Sequence, residues 1–337
     1  MPASRVPSSK TIHLLMPLWL RIFQRTEIGV DSDFFELGGT PSAACQLFAA
    51  IESATGRELS PLTIYQAPTI STLATILEQP DLPRLQSLVQ LRRGITGLPV
   101  FFLHGLGGSV AEFFQVAKHM GSPRPLWGLQ TKGIDGLDEP LNRIEDMAEF
   151  YLQAMRKSQP HGPYALVGYS LGGLVALEIA RNLLRTGEAP EWLVMVDSYP
   201  ESRYISTGQR ARVISRRVKR YVLRRRKGQH QRGPDRAGSL EKPTFGPRFT
   251  KVMEFVKSRA NEALAQYKPA SYTGKVKFVK AAVSTEFPDD PVEVWSKLIR
   301  HLEVEVVPGD HLGILGQESE ALADVLSNYL KGDVVKP

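Results

Sequence analysis

Ser170, Asp197 and His311 follow one another along the chain in an order that suits acyl transfer. A serine hydroxyl becomes a nucleophile when an imidazole accepts its proton, and a carboxylate on the other ring nitrogen fixes the tautomer and stabilises the imidazolium. Ser170 lies in Gly168-Tyr169-Ser170-Leu171-Gly172, a G-x-S-x-G pentapeptide whose glycines are needed where a Cβ would collide with the adjoining strand or helix. The apolar run Tyr164 to Val167 before it reads as a buried strand, and Leu171 to Leu184 carries apolar residues at helical spacing. Strand, tight turn and helix would lift the Ser170 hydroxyl clear of the backbone. They would also aim the Leu171 N–H, at a helix N-terminus, where an oxyanion forms. A glycine-flanked serine in an ordinary turn is the plainer alternative, but it gives no reason for a strand and a helix on these two sides.

The acid and the base depend on the same logic of position. Trp192 to Val196 reads as a buried strand ending in Asp197-Ser198, which puts a carboxylate on the same C-terminal edge as Ser170. An aspartate after a strand is often only a turn former, and Asp289 and Asp290 are rival acids. His311 follows the expected last strand, Leu302 to Val307, and completes the chain order serine, aspartate, histidine. Its neighbour Asp310 is better suited to capping the following helix than to orienting the adjacent ring. Upstream, the strand Val100 to Leu103 enters His104-Gly105-Leu106-Gly107-Gly108, followed by a helix expected over Val110 to Met120. That loop has neither a G-x-G-x-x-G fingerprint nor a Walker lysine, which argues against nucleotide binding. Beside a nucleophile elbow, H-G-x-G-G supplies the second oxyanion N–H, assigned to Leu106, while His104 precedes the nucleophile and reads as a loop-shaping residue.

Composition bounds the architecture. The chain has 337 residues, 42% hydrophobic and 23% charged, enough for one large domain and a small one. Cys45 is the single cysteine, which excludes an intramolecular disulfide, offers no metal cluster and suits a reducing compartment. The run Leu14 to Leu20 contains Pro17, lacks a small-residue cleavage site and is far too short to span a membrane. A cytoplasmic protein without membrane contact is expected. Arg210 to Arg236 holds twelve Lys/Arg and one Asp, a local +11 against +7 for the whole chain, so the remainder is acidic. Such a run invites a nucleic-acid reading, yet no nucleic-acid fold accompanies it, and Val213, Val218, Val222 and Leu223 give it an apolar side. A solvated helical lid fits better, with docking of an anionic partner next and nucleic acid last.

The supporting elements fall into two parts. Residues 1 to about 10 read as a disordered lead, and 11 to 78 show three helical patterns separated by turn signals. The proline-rich stretch 79 to 84 marks a linker. From residue 85, strands and helices alternate: Ser87 to Leu91, Leu126 to Leu129, helix Ile144 to Met155, then the elbow, with Val276 to Val279 resuming after an insert at 200 to 270. The alternation implies an α/β domain with a mostly parallel sheet. Gly228 to Gly238 within the insert reads as a mobile loop.

Asp31-Ser32-Asp33-Phe34-Phe35-Glu36-Leu37-Gly38-Gly39, with Leu47 to Ile51 and Ala67-Pro68-Thr69-Ile70, resembles the carrier (thiolation) domains of nonribosomal peptide and polyketide synthases. Their D-x-F-F-x-L-G-G-x-S motif ends in the serine that receives 4'-phosphopantetheine. In ungapped register that place is Pro41, with Thr40 as a natural N-cap before it, and Ser42 comes one residue later, about 100° further around a helix. No permanently bound cofactor is expected. Residues 85 to 333 resemble the thioesterase domains that terminate such synthases, on the matches Trp127 to Gln130, Gly162 to Gly173, Leu193 to Tyr199 and Pro308 to His311. That resemblance implies an α/β-hydrolase fold, favours Asp197 as the acid, and places a helical lid between acid and histidine. It further implies release of an acyl or peptidyl group from a phosphopantetheine thioester, delivered in trans by acyl or peptidyl carrier proteins of synthase modules. The same triad serves any acyl transfer, so a general serine esterase or a cyclising acyltransferase stays open, as does a non-catalytic docking module.

Overall fold

The computed structural model describes residues 7–81, 83–226, 246–283 and 287–332. Its first part is a helical bundle. Helix α1 (Ser9–Phe23) starts earlier than the lead suggested, because the Ser8 side chain accepts the Thr11 N–H and caps it. Helix α2 (Pro41–Thr55) begins with Thr40 capping Ala43 and ends at Gly56, whose φ of 70° suits a residue without a Cβ. Helix α3 (Ile70–Leu77) has a capping box between Thr69 and Thr72. The three close over Leu15, Trp19, Phe34, Leu47, Ile51 and Leu73, all fully buried. Phe34 meets Trp19 edge to face at 5.5 Å. Cys45, on α2, is also buried.

The second part is a seven-stranded sheet in the order β1-β3-β2-β4-β5-β6-β7. Among the described residues only β1 (Leu88–Arg92) runs antiparallel, against β3 (Leu126–Leu129). Strands β2 (Val100–Leu103), β4 (Ala165–Tyr169) and β5 (Trp192–Val196) are buried along their whole length. Apolar residues on both faces are what a parallel strand covered by helices on both sides requires. On one face pack α5 (Ile144–Ser158) and α6 (Leu171–Arg185), and on the other α4 (Phe114–His119) and α10 (Ser319–Gly332). Every parallel strand therefore delivers its carboxyl end, and the loop after it, to one rim.

Several boundaries differ from the sequence expectation for local reasons. Strands β6 (Tyr272–Val283) and β7 (Ile299–Asp310) each run twelve residues, well beyond the short apolar stretches that marked them. They pair with each other at Lys275 with His301 and Lys277 with Glu303, and these polar residues masked the extended strands. The helix expected over Val110 to Met120 is split into a 3-10 turn, Val110–Phe113, and α4, where Phe113 takes φ −91° and ψ 0°.

Between β5 and β6 lie α7 (Thr207–Arg226) and α8 (Pro247–Gln266). The expected mobile loop, Gly228 to Gly238, lies outside the described residues. Glu58 of the bundle accepts the backbone N–H groups of Arg248 at 2.9 Å and Phe249 at 3.2 Å, capping the first turn of α8. Further along α8, Val256 packs against Gly108, where an added Cβ would sit 2.6 Å from its Cγ1. Thus α8 touches both the bundle and the glycine loop after β2. Among the described residues no helix is long and apolar enough to cross a membrane.

Candidate active site

The turn between β4 and α6 holds Ser170 at φ 54° and ψ −118°. Backbone of that kind is almost confined to glycine and costs on the order of 1–3 kcal/mol. The turn closes only because its flanks lack side chains: a Cβ at Gly168 would fall 2.2 Å from the Gly172 carbonyl oxygen, and one at Gly172 would fall 2.2 Å from that of Leu103. The Ser170 N–H donates to the Val196 carbonyl at 2.9 Å, and the Ser198 hydroxyl donates to the Ser170 carbonyl at 2.7 Å. The serine turn is thereby bolted to the end of β5.

Asp197 stands at that end, also with positive φ (44°) and only 4% exposed. Its N–H donates to the Val279 carbonyl of β6 at 2.8 Å. Its Oδ1 accepts the Ala281 N–H at 3.4 Å, and its Oδ2 lies 2.8 Å from His311 Nδ1. His311 follows β7 and is held by its neighbours: Tyr169 stacks on the imidazole at 4.8 Å and donates its hydroxyl to the His311 carbonyl at 2.6 Å, while the Phe287 ring lies 4.3 Å away. Tyr169, the residue just before Ser170, thus ties the serine turn to the histidine. Nothing in the sequence marked it, since that position of G-x-S-x-G is unspecified.

The other carboxylates have partners of their own. Asp289 pairs with Arg216. Asp290 caps α9 (Pro291–Trp295), accepting from Val292 at 2.8 Å and Glu293 at 3.2 Å. Asp310 accepts the Leu312 and Gly313 N–H groups at 3.2 and 2.8 Å. The geometry therefore brings Asp197 to His311 and leaves these three elsewhere.

Leu171 is the first residue of α6, so its N–H leaves the helix at the Ser170 turn. Leu106 lies in the loop after β2, half-buried. His104 is 2% exposed, and burial pushes its pKa down to about 4, so its ring is neutral near pH 7. Among the described residues no group of three or more His, Cys, Asp or Glu could hold a metal.

At the start of α2, Pro41 presents no hydroxyl, and the Thr40 hydroxyl oxygen already accepts the Ala43 N–H at 3.2 Å. Ser42 follows in the helix, half-buried.

Comparison with known proteins gives a concordant result. Residues 98–330 match the model of the thioesterase domain, and residues 13–77 match the model of the phosphopantetheine attachment site. The chain is 36% identical over 197 residues to a dimodular nonribosomal peptide synthase of Bacillus subtilis (strain 168), covering 58% of this chain and 8% of that protein. With the indigoidine synthase of Dickeya dadantii (strain 3937) it shares 34% identity over 190 residues, 56% of this chain and 13% of that one. A protein of Paxillus involutus named an inactive atromentin synthetase is 30% identical over 202 residues, 58% of this chain and 21% of its own. The chain thus spans a small part of these curated relatives. Among solved structures, the NocB thioesterase domain from the nocardicin cluster superposes with a TM-score of 0.52 at 26% identity, covering 70% of this chain and 95% of that one. A holo four-domain nonribosomal peptide synthetase bound to AMP and glycine covers 100% of this chain and 27% of its own, with a TM-score of 0.62 at 24% identity, a likeness of fold.

Proposed function

The chain belongs to the thioesterase domain family, and from that premise we propose that it cleaves acyl or peptidyl thioesters in nonribosomal peptide or polyketide assembly through an acyl-Ser170 intermediate. The observation that carries the reading is the 2.8 Å contact between Asp197 Oδ2 and His311 Nδ1, on the same sheet rim as a serine held at φ 54°. A carboxylate accepts only, so Nδ1 carries the proton and Nε2 is free to act as base. In the first half-reaction His311 Nε2 takes the Ser170 proton as Oγ bonds to the thioester carbon. The carbon–sulfur bond then breaks, and the thiol leaves with the proton from His311. In the second, water loses a proton to His311 and attacks the acyl-serine, and Ser170 recovers its proton as the acid departs. The N–H groups of Leu106 and Leu171 carry the oxyanion in both halves.

The match over 13–77 names phosphopantetheine attachment as the chemistry of that family, but the residues present do not fit the group. Attachment needs a serine hydroxyl where this chain has Pro41. We therefore assign no covalent arm to the bundle and place 4'-phosphopantetheine on the incoming substrate, brought by a carrier of another synthase module. A cytoplasmic setting belongs to the same proposal. Although two relatives are named inactive, the Asp197–His311 contact on the rim that carries Ser170 supports catalysis over docking alone. Incubation with a panel of acyl pantetheine thioesters and intact-mass analysis tests the reading. A covalent acyl adduct is expected that Ser170→Ala abolishes; turnover persisting in that variant would refute it.

A further inference from the structure

The loop that carries Leu106 is held at one residue from two directions. Glu112 in the 3-10 turn after it accepts the Gly105 N–H through Oε1 in a short hydrogen bond. The Gly105 carbonyl lies 2.6 Å from His104 Nδ1. A carbonyl can only accept, so Nδ1 carries the proton, and Nε2 accepts the Tyr151 hydroxyl, 2.5 Å away and buried on α5. Gly105 is closely packed as well: an added Cβ would lie 2.9 Å from Tyr169 Cδ1 and 3.5 Å from Glu112 Oε2.

These contacts bear directly on the oxyanion donor. The Gly105 carbonyl and the Leu106 N–H belong to one planar trans peptide and point in opposite directions. Fixing the carbonyl on His104 therefore fixes where the Leu106 N–H points. Gly105 joins that peptide to the preceding one through two soft dihedrals that glycine leaves wide open. The N–H of that preceding peptide is the group Glu112 holds. With both peptides pinned, Gly105 has no freedom left to swing the donor away. Burial, opposed by the Gly105 hydrogen bond, pushes the Glu112 pKa up to about 8. A carboxyl placed there at such a cost in charge stability has its acceptor directed at one backbone N–H of this loop.

We propose that Glu112 is a positioning residue of the acyl-transfer reaction, which, acting through Gly105 and jointly with His104 and Tyr151, sets the direction of the Leu106 N–H toward the oxyanion. The inference rests on the reading of Ser170 as the nucleophile and of Leu106 as an oxyanion donor. Loss of a whole oxyanion donor costs about 10²–10³ in rate, and a donor left loose should cost part of that.

The test compares Glu112→Ala and Glu112→Gln with the unaltered chain in two assays: steady-state hydrolysis of an acyl pantetheine thioester, and the rate at which a fluorophosphonate labels Ser170. Glu112→Ala should lower kcat and the labelling rate about ten- to a hundred-fold with KM within about twofold, because the donor acts on the transition state. Glu112→Gln keeps a carbonyl acceptor for Gly105 and should stay within about fivefold of the unaltered chain in both. Rates for Glu112→Ala equal to those of the unaltered chain, or an equal loss in the alanine and glutamine variants, would overturn the proposal while leaving Ser170 as nucleophile. Failure of the unaltered chain to label at Ser170 would overturn both.

Discussion

Replacing Asp197 by asparagine probes the acid with little change of shape. In the native site Oδ1 faces the Ala281 N–H at 3.4 Å and Oδ2 faces His311 Nδ1 at 2.8 Å. An asparagine oxygen will keep the Ala281 contact, because the amide nitrogen there would meet another donor. Its NH₂ group is then turned on His311 Nδ1, where two donors cannot face each other. The ring answers by moving its proton to Nε2, the nitrogen that must accept the Ser170 proton. The substitution thus reverses the tautomer and also removes the charge that stabilises the imidazolium. A loss of about 10³–10⁴ in kcat is expected, which at 1.36 kcal/mol per tenfold is about 4–5.5 kcal/mol of barrier. Steady-state hydrolysis of a pantetheine thioester measures it, with Asp290→Asn as control, since Asp290 serves the N-terminus of α9. A loss under tenfold in Asp197→Asn, or an equal loss in the control, would refute the reasoning.

Ser170→Gly should remove turnover yet raise stability by about 1 kcal/mol, read as a higher denaturation midpoint, because glycine accepts the φ of 54° that serine resists. Glu112 holds its proton up to about pH 8 in the folded chain against an ordinary value near 4.5, so between these values the folded state binds more protons than the unfolded and stability falls as pH rises. Denaturation at pH 5 and pH 8 should show a smaller drop for Glu112→Gln than for the unaltered chain; an identical drop would count against a raised pKa. Neutralising Arg224, Arg225, Arg226 and Lys227 should slow hydrolysis of carrier-bound thioesters more than of small free ones, with the difference fading above physiological salt, where screening acts within about 8 Å. Equal slowing of both would argue against electrostatic docking. Incubation with coenzyme A and a phosphopantetheinyl transferase should leave the chain unmodified and add one phosphopantetheine to the Pro41→Ser variant; an adduct on the unaltered chain would show that Ser42 is accepted instead.

Much of the candidate site was legible because its proposed residues sit where chain order and secondary structure leave few choices. Ser170 was marked by its glycines, Asp197 by the end of a wholly apolar strand, and His311 by following the last strand. What escaped was of two kinds. The extent of β6 and β7 was hidden because their polar residues, such as Lys277 and Glu303, read as loop until they are seen to pair across two strands. The supporting residues were hidden because their roles depend on contacts between distant segments. Tyr169 reaches His311 across 142 positions, and Tyr151 reaches His104 across 47. Glu112 has no motif at all, only a 3-10 turn that folds it back under Gly105.

The two parts of the chain show that fold and chemistry are fixed by different residues. In the bundle, the buried Trp19, Phe34 and Leu47 and the cap at Thr40 specify the carrier-like shape. A proline at the first position of α2 strengthens that shape, because its missing N–H is one the helix would leave unpaired anyway. On the reading proposed above the same residue takes the place of the attachment serine, so the stability of the bundle says nothing about its modification. In the sheet domain the relation is reversed. The serine at φ 54° and the aspartate at φ 44° each weaken the fold locally, in conformations that most residues avoid. Such strain persists only where the surroundings over-determine it, here the bonds from Ser170 and Asp197 to β5 and β6. Local cost without structural gain, at two positions that share one rim and of which Asp197 meets His311 at 2.8 Å, is the physical argument for the proposal that this rim works as a catalytic constellation and is more than a well-formed fold.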